Sequence, residues 1–151
     1  MLYEVVLGLH AYAMCAALLL FVVNEFLLIP ARRGQPGPAR MAFFAGRFAG
    51  LLVGPGVLAG IVLVFLGGWS LLTPWLMASL ALVAALMAVE HKLVRPWATQ
   101  AQTALRGAVS AVEVKAFAGD KRALVGRLTM ITLFALIVAL MTAKPELNPF
   151  A

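Results

Sequence analysis

The sequence predicts an all-α integral membrane protein. It reads as a four-transmembrane-helix bundle with an amphipathic cytoplasmic helix between helices 3 and 4. Three observations predict this. The chain of 151 residues is 64% hydrophobic and only 12% charged, with a mean hydropathy of +1.00, whereas a soluble domain is about half apolar and about a quarter charged. Four apolar stretches reach the roughly 20 residues that cross a hydrocarbon layer roughly 30 Å thick. Eleven of the 12 Lys and Arg residues fall to one side of those stretches.

The first stretch, about 5–29, ends at Pro30. No Lys or Arg precedes it and no small-x-small cleavage site follows, so it reads as a retained helix rather than a removed leader. Within it Cys15 is expected to be an inert buried thiol. The second stretch, about 41–66, follows "GQPGPAR". Pro38 suits a first turn, where its missing N–H is not needed. Gly46, Gly50 and Gly54 recur every four residues and share a face, which lets helices approach closely in lipid. Pro55, inside "GPG", removes a hydrogen bond to the carbonyl four residues back, so a kink is expected. The third stretch, about 71–91, offers Ala78, Ala81, Ala84, Ala85 and Ala88 as an answering small face, which predicts a compact bundle. The fourth, about 121–143, has Asp120 as its N-cap and "KP" at 144–145 as its stop.

The segment 96–118 is too polar to span. Trp97, Ala101, Leu105, Ala108, Val109, Val112 and Ala116 recur at steps of three or four, with Gln100, Thr103, Arg106, Ser110, Glu113 and Lys115 opposite. That is an amphipathic helix, either prolonging helix 3 or lying on the membrane surface.

Loop charges orient the chain. Arg32, Arg33, Arg40 and Arg47 lie in or near the first loop, and Lys92, Arg95, Arg106, Lys115, Lys121, Arg122 and Arg127 in or near the third. The second loop, "GGWSLLTP", is uncharged. The positive-inside rule places the basic loops in the cytoplasm and both termini outside, in a bacterial inner membrane. Topology thus accounts for the basic residues, and no nucleic-acid partner is implied. The implied partners are the lipid bilayer and other subunits of a membrane complex.

Two polar sets stand out. Near the outer face His10 and Met14, four residues apart, share a helix face, and Met77 begins helix 3 on the same side. Imidazole and thioether both ligate haem iron and both suit copper, and an ionisable side chain inside a spanning segment is a functional candidate. The alternative is a hydrogen-bonded structural histidine. Near the inner face Glu25, Arg47, Glu90 and Arg127 reach similar depth. They form either an inter-helix salt-bridge cluster or a site for an anionic group such as a haem propionate, a lipid or a quinone headgroup. His91, flanked by charges, reads as solvated. It lies roughly 20 Å in depth from His10 at about 1.5 Å per helical residue, so the two cannot share one iron.

The helix-one "GLHAYAM", the basic first loop, the "GPGVLAG" of helix 2 and "WSLLTPWLMASLAL" at helix 3 resemble a group of small bacterial membrane proteins. The group comprises HemJ-type protoporphyrinogen oxidases, CopD-like copper proteins and their relatives. The resemblance covers residues 3–95 and the last helix, as a pattern of helices and a few positions. It implies haem b on the helix-one histidine, which is His10 here. It also implies a lysine early in helix 3, where this chain has Ser79. The sequence has no P-loop, H-E-x-x-H, C-x-x-C or G-x-S-x-G pattern. Three functional expectations result: a haem b or membrane redox protein built on His10, a non-enzymatic accessory or scaffold subunit, and copper handling through His10 and Met14.

Overall fold

The structure is a computed structural model that describes residues 1–143, so the expected stop at 144–145 lies outside the described residues. Every regular element among them is helical: α1 (Leu2–Ala31), α2 (Pro36–Leu66), α3 (Pro74–Val89), a π-helical turn (Glu90–Val94), α4 (Arg95–Leu105), α5 (Ala111–Ala118) and α6 (Lys121–Ala143). Four helices are long and apolar enough to cross a membrane: α1, α2, α6 and the continuous rod Pro74–Leu105. α2 begins at Pro36, earlier than the hydropathy suggests, with a proline in its opening turn. The turn before it closes on Gly34 at φ 91°, left-handed backbone that suits glycine. Asp120 does cap α6, its Oδ1 accepting the Ala123 N–H at 3.0 Å.

The amphipathic segment is two helices rather than one. Its first half prolongs α3 through the π turn, and the chain then breaks at 106–110. Ser110 restarts it with a capping box: its hydroxyl accepts the Glu113 N–H at 3.2 Å, and the Glu113 carboxylate accepts the Ser110 N–H at 2.8 Å. The break resets the helical phase. Trp97, Ala101 and Leu105 are buried, but beyond it Val114 and Ala118 are buried while Val112 and Ala116 are exposed.

The helices pack as two pairs, α1 with α2 and α3 with α6, joined where α1 meets α6 and where α4 and α5 meet the first pair. The small-residue faces differ from the sequence expectation. The close approach of α2 to α1 falls on Gly56 and Gly60, where an added methyl would collide with Met14 and His10. Gly50 and Gly54 face open space. Ala81, Ala84, Ala85 and Ala88 are not buried against α2, because α3 lies against α6 instead. Gly126 provides the closest approach there, since a methyl on it would stand 2.8 Å from Leu93 Cβ in the π turn. Cys15 is also exposed on the bundle surface, not buried. The main core cluster lies at the basic end. There Leu28, Ala42, Trp97, Leu105, Val114 and Ala118 close the bundle under α4 and α5.

Candidate functional site

The basic end holds a cavity of about 600 Å³, a size within the roughly 300–1,000 Å³ range of small-molecule pockets. Its wall is built from every long helix. α1 brings Phe21, Asn24 and Glu25; α2 brings Phe43, Gly46, Arg47 and Gly50; α6 brings Arg127, Met130 and Phe134. The rod brings Leu86, Met87, Glu90, Arg95 and Trp97. The π turn bonds the Arg95 N–H back to the Glu90 carbonyl, five residues away. Glu90 opens this turn and Trp97 lies in the first turn of α4 beyond it, and both line the cavity.

Arg127 dominates the chemistry. It is only 4% exposed. Its Nε donates to Glu25 Oε1, and its guanidinium lies 4.2 Å over the Trp97 ring. The ring is itself fixed: Trp97 Nε1 donates to the Phe117 carbonyl at 2.7 Å, and Phe43 packs beside it at 5.2 Å between centroids. Ring and carboxylate thus hold the guanidinium in place, yet Nη1 and Nη2 are both buried without a hydrogen-bond partner. An unmet buried donor is costly, and more so when charged. This pair of nitrogens is a fork shaped for a carboxylate or phosphate.

Glu25, Arg47, Glu90 and Arg127 all line this cavity. Only Glu25 and Arg127 bond directly. Glu90 instead stands 4.0 Å from Arg95, a loose and exposed pair. Trp97 is the member of the site that the sequence does not announce. It is 30 positions from Arg127, and nothing in local spacing signals that the two will stack. His91 is exposed at the helix surface.

His10 occupies a separate place, between α1 and α2. Its Nδ1 lies 2.7 Å from the Gly56 carbonyl oxygen. A carbonyl only accepts, so Nδ1 carries the hydrogen and Nε2 keeps the lone pair. Gly60 makes room for the ring; a methyl there would come within 2.9 Å of His10 Cε1. Met14 is buried one turn on, seated against Gly56. Met77 is 51% exposed, on the helix that packs with α6. Among the described residues no three of His, Cys, Asp and Glu come together in the manner of a metal centre.

No family model matches the chain, and neither the curated proteins nor the solved structures compared with it include a match.

Proposed function

We propose that this protein binds an anionic amphiphile within the membrane, with the cavity at the basic end as its site and Arg127 as its anchor. The observation that carries this reading is the pair of buried, unpartnered terminal nitrogens on a guanidinium otherwise locked in place. A bound carboxylate or phosphate meets both with charge-assisted bonds. Aromatic and aliphatic walls suit the apolar part of such a ligand. The one-sided charge pattern supports a cytoplasmic position for this end in a bacterial inner membrane, with both termini outside. A binding role needs no catalytic constellation.

The test compares bound small molecules by native mass spectrometry after mild-detergent purification. Arg127→Gln alone strands the Glu25 carboxylate, so the informative variant is the neutral pair Glu25→Gln with Arg127→Gln. Loss of a stoichiometric anionic species from the folded double variant is the expected result. Retention at wild-type occupancy overturns the proposal.

A second reading rests on His10. Its Nδ1–H bond to a backbone carbonyl is the arrangement that orients metal-ligating histidines and leaves Nε2 available. The imidazole of His10 and the thioether of Met14 are donor types that ligate haem iron and copper, and from adjacent turns of one helix they can hold only neighbouring positions on an ion. His10 would hold the iron of a haem b through Nε2, and that group would supply electron-transfer chemistry. Oxidised and dithionite-reduced absorption spectra test it. A Soret band at one haem per chain that His10→Ala abolishes supports the reading; a featureless spectrum after expression with ample haem removes it. Copper loading with metal analysis tests the alternative ion, and a stoichiometric protein companion in the same preparation would favour an accessory-subunit role.

A further inference from the structure

The cavity has a side opening, and its position bears on what enters. Its wall includes Gly50 of α2 and Met87 of α3, both exposed on the bundle surface. The two helices bearing them belong to different pairs, α1 with α2 and α3 with α6. Arg47, Arg95, Thr99 and Gln102 are also exposed members of the wall, so the mouth of the cavity runs from an apolar flank at Gly50 and Met87 to a polar end. The charged groups on the wall are three cations, Arg47, Arg95 and Arg127, against two carboxylates, Glu25 and Glu90. One positive charge is left over. Arg47 lies at the rim and forms no ion pair among the described residues.

Resting on the amphiphile-binding reading above, we infer that the occupant is a membrane lipid with a monoanionic phosphate or carboxylate head, admitted sideways between α2 and α3. The head bridges Nη1 and Nη2 of Arg127, its single charge balances the wall, and Arg47 meets it at the rim. The acyl chain stays along the apolar lining of Gly46, Gly50, Leu86 and Met87, in continuity with the bilayer. A mouth that is apolar at Gly50 and Met87 and polar at Arg47, Arg95, Thr99 and Gln102 matches a molecule with an acyl chain and a charged head.

Gly50 offers a clean test. A Cβ added there meets nothing within 4 Å and Gly50 lines the cavity, so a leucine at this position is expected to narrow the mouth without disturbing the bundle. Gly54 is equally open and lies outside the lining, which makes it the control. Purified protein is stripped by detergent exchange and placed in nanodiscs of phosphatidylcholine with or without phosphatidylglycerol. Retained lipid is read by native mass spectrometry, with inorganic phosphate added in a parallel arm. Phosphatidylglycerol is expected to be retained at one per chain and phosphatidylcholine not. Gly50→Leu is expected to cut retention at least tenfold, with Gly54→Leu at wild-type level. Wild-type retention in Gly50→Leu, with loss in the Glu25/Arg127 double variant, overturns sideways admission and leaves the anchoring role of Arg127 intact. Displacement of the lipid by inorganic phosphate at equal concentration overturns the lipid assignment alone. No preference for phosphatidylglycerol, and no effect of either variant, overturns both.

Discussion

Arg127 and His10 are both buried polar side chains, and they are satisfied to different degrees. His10 spends its one hydrogen on the Gly56 carbonyl at 2.7 Å, a bond worth on the order of 1 kcal/mol. Arg127 spends only Nε, on Glu25. Breaking one side of such a buried pair costs about 3–5 kcal/mol, because the remaining charge has no partner. Glu25→Ala is therefore expected to destabilise the bundle by about that amount. Glu90→Ala, which removes only the loose exposed contact with Arg95, should stay within about 0.5 kcal/mol. Reversible unfolding in mixed micelles measures both, and equal effects would contradict the assignment of Arg127 to Glu25.

At the scale of elements, the α1–α2 hairpin is set by two glycines that hydropathy does not distinguish from the other four in α2. Gly60→Leu drives a side chain into the imidazole and is expected to cost about 1–3 kcal/mol, the usual range for overpacking. Gly54→Leu on the same helix should be near neutral. A thermal-unfolding comparison of the two checks whether the hairpin faces are as described. The restart at α5 is a second element-level device. The Glu113 carboxyl is held below its ordinary value, first by the Ser110 backbone N–H and then by the Ser110 hydroxyl. A carboxylate whose folded value is depressed stabilises above its unfolded value and stops doing so as pH falls through the folded one. α5 should thus lose hydrogen-exchange protection below the ordinary carboxylate range. Ser110→Ala should weaken the helix start by about 1 kcal/mol at neutral pH and flatten that pH response. Protection in the wild type that does not change with acidification would count against the cap.

At the scale of the molecule, the one-sided charge predicts how the chain sits in a membrane. With the native Cys15 replaced by alanine, single cysteines at Arg33 and Ser70 report sidedness. A membrane-impermeant maleimide added to intact cells is expected to label the Ser70→Cys variant and to label Arg33→Cys only after permeabilisation. The reverse pattern would invert the orientation and put the cavity at the outer leaflet.

Much of this was legible in the sequence, for a physical reason. A spanning helix satisfies its own backbone, so its length and apolarity show in a local window, as does the cap at Asp120. The shared depth of Glu25, Arg47, Glu90 and Arg127 was also readable, because antiparallel helices of known rise place residues by counting. Rotation about each helix axis was not readable. Local composition did not say whether Gly50 or Gly56 would face α1, or whether the alanines of α3 would face α2 or the outside. A five-residue π turn and a break at 106–110 shifted the phase of everything after them. The sequence alone thus determined a four-helix apolar chain with a basic end. Tertiary structure decided that Trp97 would lie under Arg127, that two guanidinium nitrogens would be left without partners, and that α2 and α3 would pack in different pairs. Those outcomes depend on contacts between residues far apart in the chain, which no local window contains.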